Sequence, residues 1–430
     1  MFSIQRFLIL TFVACLLTSC APAPNNSNTT VTQATPSPSA SPSPVQPATT
    51  TSSSAHVTLP LLDALLNDEK FVGQVKSKLN LTDDQIASLK RVSGAAVDRL
   101  RENNAEDSDG NATDARTRAD EELRNVLGAD KSRELASLAN DYWSKGDTTE
   151  GTDANSSQPT MSKGPNAVPT DTRVVVNIPA FRMDLFQDGS LVKSYKVGIG
   201  YPQFPLPQGL RKAQTIIFNP SWTPPDSPWV AKMKNVTAGE KIEPGDKDNP
   251  LGPIKIPIGL PSLIHGGKSP ARIGKFASHG CVGLTTPQVK DFALQLARAS
   301  NTSDVSDKTI AAYLQDKDKT KTVKLNHAVP VELRYETIVL EDGKLHIYKD
   351  VYAQDTNTEE NLRQVLEAHG IKLEDLSEQQ RTEALEALKG TPSPAPGKKQ
   401  AKSQNEVVID LSNLSPRDKG YPAPVSLSTK

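Results

Sequence analysis

Two histidines and a cysteine, His265, His279 and Cys281, fall in a stretch otherwise punctuated by glycine: Ile264-His265-Gly266-Gly267, then Ser278-His279-Gly280-Cys281-Val282-Gly283-Leu284. A thiol attacks as thiolate, so an imidazole able to take or share its proton makes a cysteine a candidate nucleophile. By spacing alone either histidine can be that base, and Ser278 can hydrogen-bond within the loop. Gly280 and Gly283 let the backbone turn tightly, so that N–H groups near Cys281 can face a substrate carbonyl oxygen. Zinc is the competing use of His and Cys. The stretch offers only these three candidates, with no Cys-x-x-Cys pair and no carboxylate ligand nearby, so no metal is expected.

The elements that must position this stretch read mostly as strands. Arg173-Val174-Val175-Val176-Asn177-Ile178 is β-branched, and Arg182–Phe186, Gln187-Asp188-Gly189-Ser190 and Leu191–Tyr195 read as a hairpin around Asp-Gly. Strands return at Val329–Tyr335 and in a second hairpin, Thr337–Leu340 and Lys344–Tyr348, around Asp342-Gly343. One helix is expected over Thr286–Ala299, directly after the histidine–cysteine stretch. The expected fold class is therefore α+β, with a mostly β domain over 170–355.

The flanks differ in texture. Over 57–146 the leucines recur at helical period, for three or four helices, and Thr82 with Gln85 reads as a capping box. Residues 147–169 read as a linker, 356–390 as a short helical segment, and 391–430 as a disordered tail with at most a strand at Val407-Val408-Ile409. Ser377 and Gln380 repeat the capping arrangement. Residues 21–56 are Pro, Ser, Thr, Ala, Asn and Gln with almost no large apolar residue, which makes an extended tether.

Residues 1–20 carry Arg6, an apolar run and Leu17-Thr18-Ser19-Cys20, the pattern of a secretory leader too short to span a bilayer as an anchor. Its end resembles the lipobox of bacterial lipoproteins, which implies cleavage before Cys20 and its acylation, and so attachment to a membrane through Cys20. Ala21 follows where an inner-membrane retention aspartate can stand, so the expected place is the periplasmic face of the outer membrane if the source has two membranes. Of three cysteines, Cys281 is the only one beyond Cys20. The formal net charge of -1 gives no broad basic surface for nucleic acid. With 33 prolines and 5% aromatic residues, much of the chain is expected to be linker rather than core.

Ile264-His265-Gly266 followed by Ser278-His279-Gly280-Cys281 resembles the active-site motif of YkuD-type L,D-transpeptidases. The likeness extends over roughly Thr172–Asp355, including Val197-Gly198-Ile199-Gly200, Asn219–Pro225, Asn249-Pro250-Leu251-Gly252-Pro253 and Tyr348–Tyr352. It implies a β-rich fold and a peptidoglycan-remodelling enzyme that needs no cofactor. Cys281 is then the nucleophile, attacking the amide between the third residue of a stem peptide and its terminal D-alanine. His265 is the base, His279 supports the thiolate, and backbone around Gly280 and Cys281, with Ser278 and Gly266 nearby, serves the oxyanion and the substrate. Trp222 and Trp229 are candidate borders of the cleft. One departure stands beside the nucleophile: Gly283 occupies the position where the family commonly has Arg or Asn. Arg272 or Lys275, in the loop between the histidines, are the candidates to take over that side chain's role.

Overall fold

A computed structural model describes residues 57–103, 112–145, 159–225, 230, 233–259, 262–390 and 405–414, the side chains of 100–103 and 145 excepted. The expected leader, the lipidation site Cys20, the tether and Trp229 lie outside the described residues, as does most of the loop expected between the helices near 103–113. Among the described residues, no helix is long and apolar enough to cross a membrane.

The N-terminal part is all helix: α1 (Leu59–Leu66), α2 (Glu69–Leu79), α3 (Asp83–Asn103), α4 (Ala112–Leu127) and α5 (Ala129–Lys145). Their apolar stripes close on one another in a core that includes Leu62, Leu66, Phe71, Leu89, Leu123, Leu135 and Trp143. The capping box at the start of α3 is formed: Gln85 N donates to Thr82 Oγ1 (3.2 Å) and Thr82 N to Gln85 Oε1 (3.1 Å).

The central part is an eight-stranded sheet in the order β3-β2-β1-β10-β5-β6-β7-β9. Its strands are β1 (Arg173–Asn177), β2 (Arg182–Gln187), β3 (Ser190–Lys196), β5 (Gly209–Phe218), β6 (Ile254–Pro257), β7 (Leu263–His265), β9 (Val282–Gly283) and β10 (Lys321–Arg334). A parallel pair, β4 (Ile199–Gly200) with β8 (Phe276–Ser278), lies beside its β9 end. The first hairpin turns at Asp188 and Gly189, both at positive φ (49° and 78°), the conformation a two-residue hairpin demands. β1 pairs parallel with the long β10, and four of its five residues are buried, as a strand covered on both faces requires.

The expected helix after the motif is α6 (Thr286–Ala299), begun by a Thr285–Gln288 capping box and burying Val289, Phe292, Ala293, Leu296 and Ala297 against the sheet. A further helix, α7 (Asp307–Gln315), precedes β10.

Two stretches differ from the sequence reading. Part of the expected linker is ordered: Ser162 N and Oγ donate to Glu332 (3.1 and 2.9 Å), and Asn166 exchanges hydrogen bonds with Ile338 O and Leu340 N. Residues 405–414 are more than tail: the strand allowed at Val407-Val408-Ile409 forms as β13 (Glu406–Asp410), and it pairs with β12 (Lys344–Tyr348) beside β11 (Ile338–Glu341). Helices α8 (Glu359–Ala368) and α9 (Glu378–Leu388) pack on this second sheet around Leu340, Leu345, Ile347, Leu362, Leu366, Ala384 and Ile409. The late hairpin therefore belongs to a C-terminal α+β unit and not to the large sheet. Its strands alone lack a cover, and the charged surroundings of Val407-Val408-Ile409 conceal that this segment supplies one.

Candidate active site

Strands β7 and β9 run parallel with Ile264 opposite Val282 and His265 opposite Gly283. Side chains alternate across a strand, so Ile264 and Val282, both in the main core, point one way while His265 and position 283 point the other, and Cys281 stands in the turn directly before β9. Leu284 N donates to His265 O (2.8 Å), and Gly198 exchanges both backbone hydrogen bonds with Gly283 (2.9 and 2.8 Å). The sheet thus fixes the floor on which the thiol and the imidazole stand.

The turn that delivers the thiol is held by Ser278. Its buried hydroxyl accepts from Cys281 N (3.0 Å) and donates to Cys281 O (2.5 Å). Gly280 closes the turn at φ +90°, where a side chain would be strained. Cys281 is a free, half-buried cysteine. Burial pushes its thiol up from the ordinary value, while the Leu263 backbone N–H and the Lys268 ammonium pull it back toward the thiolate.

His265 is buried and its Nδ1 lies 2.8 Å from Gly266 O. A carbonyl only accepts, so in the neutral ring Nδ1 carries the hydrogen and Nε2 is the basic nitrogen. Burial, with Lys268 and the cross-strand neighbour Lys255 adding to it, pushes this histidine down to about 3, against the pull of the Gly266 and Leu251 carbonyls. It stands in the site as a neutral base. Lys255, itself lowered by burial, donates to Ser221 O (3.3 Å).

The place left open at Gly283 is filled. A Cβ built there would meet Lys268 Cγ, Cε and Cδ at 2.8, 3.0 and 3.3 Å. Neither of the two residues expected to compensate does so. Arg272 reaches Tyr201 Oη (3.2 Å) and Lys275 is exposed. The residue that lies there is Lys268, one position after Gly267, pinned by its own backbone, N donating to Leu284 O (3.0 Å), a contact that no local pattern in the sequence marks.

Gly266 has a packing reason: a Cβ there would lie 2.6 Å from Val289 Cγ1, so its absence lets β7 sit against α6. Gly267 and Gly252, both at positive φ, let the Asn249–Pro253 loop cross the end of β7 at backbone contact distance. His279 places its ring between Tyr201 and Phe204, with centroids 5.2 and 5.0 Å away. Tyr201 N donates to Ser278 O (2.9 Å), and Tyr352 Oη donates to Gly200 O (2.8 Å) and accepts from Leu206 N (3.2 Å), which ties the 200–206 loop over the turn. Trp222 is buried with Val230 and Leu251 in a satellite cluster and pairs by backbone with Ile242, so packing accounts for it in place of the expected cleft border.

The helical part reaches the site as well. The ring of Trp143 and the carbonyl oxygens of Phe204 and Pro205 surround the point where a Gly280 side chain would begin. The buried Arg211 of β5 donates to Trp143 O at the end of α5 and to Gly259 O (2.6 Å), joining that helix to the sheet. Nothing in the local sequence around Trp143 signals this, because the contact spans more than a hundred residues. Among the described residues, no group of three His, Cys, Asp or Glu side chains converges as a metal site.

Residues 171–321 match the family YkuD, described as the L,D-transpeptidase catalytic domain, so this part of the chain is a YkuD-like domain. Among solved structures, the chain is similar to an L,D-transpeptidase from Mycobacterium smegmatis, with 15% identity and a TM-score of 0.23 over 38% of this chain and 58% of that one. It is similar to the catalytic domain of an E. faecium L,D-transpeptidase at 15% identity and a TM-score of 0.25, over 39% of this chain and 98% of that one. An L,D-transpeptidase from Mycobacterium tuberculosis H37Rv gives 13% identity and a TM-score of 0.21, over 38% and 57%. The chain thus spans less than two thirds of the length of the two mycobacterial proteins. No curated protein matches the sequence.

Proposed function

We propose that the chain is an L,D-transpeptidase acting on peptidoglycan stem peptides through a thioester on Cys281. The observation that carries this reading is the parallel pairing of β7 with β9, which brings the half-buried thiol, in the turn directly before β9, to the strand that carries the buried, neutral imidazole. The YkuD match over 171–321 supports it.

In this reading Cys281 Sγ, as thiolate, attacks the carbonyl carbon of the stem's third residue at its L-centre. The C–N bond to the terminal D-alanine breaks, the leaving nitrogen takes a proton, and a thioester remains. The side-chain amine of a second stem's third residue then attacks the thioester carbon and expels Cys281, forming a 3→3 cross-link. Water in place of the amine gives L,D-carboxypeptidase activity. His265 Nε2, neutral through the physiological range, accepts the proton from the thiol or the incoming amine. With Cys281 N already donating to Ser278 Oγ, the Gly280 N–H of the same turn stabilises the oxyanion, a contribution of about 3 kcal/mol for a well-placed donor. His279 acts from beside the turn, held by Tyr201 and Phe204.

The same reading places the enzyme outside the cytoplasmic membrane, acylated at Cys20, with residues 21–56 as a tether toward the wall. It also makes the thiol a target for carbapenem acylation. The test is incubation of the purified chain and of Cys281→Ala with tetrapeptide muropeptides, followed by mass analysis. D-alanine release and a cross-linked or trimmed product from the parent, absent from the variant, are expected. A folded parent that neither releases D-alanine nor forms a thioester overturns the reading in favour of a wall-binding module. Attachment of an envelope protein to peptidoglycan appears instead as a protein–muropeptide adduct.

A further inference from the structure

We infer that the cavity between the helical part and the 202–208 loop is a subsite for an N-acetylated amino sugar, the uncharged unit of a peptidoglycan glycan strand. The inference rests on the reading of the chain as a peptidoglycan enzyme and adds a part of the substrate that the thiol does not touch.

The cavity measures about 230 Å³ and lies where α4 and α5 meet the loop before β5 and the stretch after β12. Trp143 and Pro205 form its side toward the candidate active site, for Trp143 Cζ2 and Pro205 O also stand 3.6 and 3.8 Å from the point where a Gly280 side chain would begin. One residue's thickness thus separates the cavity from the turn that carries Cys281. Sites for whole drug-sized ligands occupy about 300–1,000 Å³, so this smaller space takes a single ring-sized group.

Charge narrows the ligand. Among the described residues, no Asp or Glu side chain lines the cavity, and its one cation, Arg116, is occupied by Asp355 (2.6 Å) and by the Ala353 carbonyl. A stem peptide brings carboxylates and an amine, which are costly to bury without partners. An acetylated amino sugar brings neither.

The polar groups left over match an amide. Gln208 Nε2 donates to Gln354 Oε1 (2.9 Å), and both residues line the cavity. That bond leaves Gln208 Oε1 as an acceptor and Gln354 Nε2 as a donor, each without a partner among the described residues. Exchanging O and N in both amides leaves the same set, one donor and one acceptor. The acetamido group of the sugar carries the complement, a C=O for the donor and an N–H for the acceptor. Trp143 Nε1, buried in the same wall, also has no hydrogen-bond partner among the described residues. Buried donors without a partner are rare, and a sugar oxygen accounts for this one. Trp143, Pro205 and Pro207 supply the apolar walls against which the C–H face of the ring and the acetyl methyl pack.

The experiment is saturation-transfer-difference NMR on the purified full chain with tri-N-acetylchitotriose as the probe. Transfer is expected, strongest at the acetyl methyl groups, and cellotriose, which has the same linkage without the acetamido group, is expected to show none. Gln208→Leu and Gln354→Leu are each expected to weaken binding about fivefold, the usual effect of losing one neutral hydrogen bond. Circular dichroism establishes that each variant is folded, and Gln354→Glu repeats the measurement if a Leu variant is not. Absence of transfer from chitotriose overturns the inference, as does equal transfer from cellotriose or binding unchanged in the folded variants. Displacement of chitotriose by the blocked dipeptide N-acetyl-Ala-Ala-amide at equal concentration overturns it in favour of a peptide subsite. Binding is read without turnover, so chitotriose bound by a chain that releases no D-alanine leaves the inference standing and removes only the transpeptidase reading. D-alanine release without chitotriose binding removes the inference alone.

Discussion

The indole of Trp143, in the last turn of α5, stands 3.6 Å from the point where a Cβ of Gly280 would lie. One side of that ring belongs to the helical core and the other borders the turn that carries Cys281, so the N-terminal helices form a wall of the candidate site. The carbonyl of the same residue is held by Arg211 from the central sheet.

Trp143→Ala is expected to cost about 3 kcal/mol of stability, as for a buried aromatic truncated in a core. It is also expected to lower D-alanine release by about tenfold, equivalent to ~1.4 kcal/mol of lost turn support. Urea unfolding and turnover on tetrapeptide muropeptides read the two effects separately. Full turnover in a destabilised variant would show that the helices stabilise the chain without supporting the site.

Gly266→Ala places a methyl group against Val289 Cγ1, and β7 must then retreat from α6. A loss of about 2 kcal/mol is expected, in the range for overpacking. Val289→Ala on the same chain makes room, so the double variant should be more stable than the sum of the single effects predicts. A double-mutant cycle in urea checks this, and additivity of the two changes would contradict the contact.

Acid should act through His265. Its folded-state value of about 3 lies below the ordinary value of 6.5, so the unfolded chain takes up this proton first. The resulting stability is complete above pH 6.5 and is lost as pH falls from 6.5 toward 3. Between pH 6.5 and 4 the loss from this group is expected to reach about 3 kcal/mol. His265→Gln, with no titrating ring, should show a correspondingly flatter fall in urea midpoint over that window. Parallel pH profiles for parent and variant would contradict the buried, neutral assignment.

The C-terminal unit depends on β13. A chain ended at residue 404 loses the strand paired with Lys344–Tyr348 and the cover that Ile409 and Leu411 give to Leu345 and Ile347. Limited proteolysis is expected to cut the truncated chain within 338–390 while the large sheet remains resistant. Equal resistance in both parts would mean that α8, α9 and the β11–β12 hairpin hold together without β13.

The sequence by itself determined whatever depends on neighbours a few residues apart. The Asp188-Gly189 and Asp342-Gly343 turns, the Thr82–Gln85 and Ser377–Gln380 caps, the helix after the motif and the α+β class all follow from local backbone preference and periodicity. The grouping of His265, His279 and Cys281 was legible for the same reason, as their spacing keeps them on one short run of chain. Tertiary structure alone decided which groups surround them. That Lys268 fills the place above Gly283, that Trp143 backs Gly280, that Trp222 is packed away and that residues 406–410 complete a second sheet are contacts between distant segments. Such contacts are set by which apolar faces close on one another, a property of the folded whole that local preference does not encode.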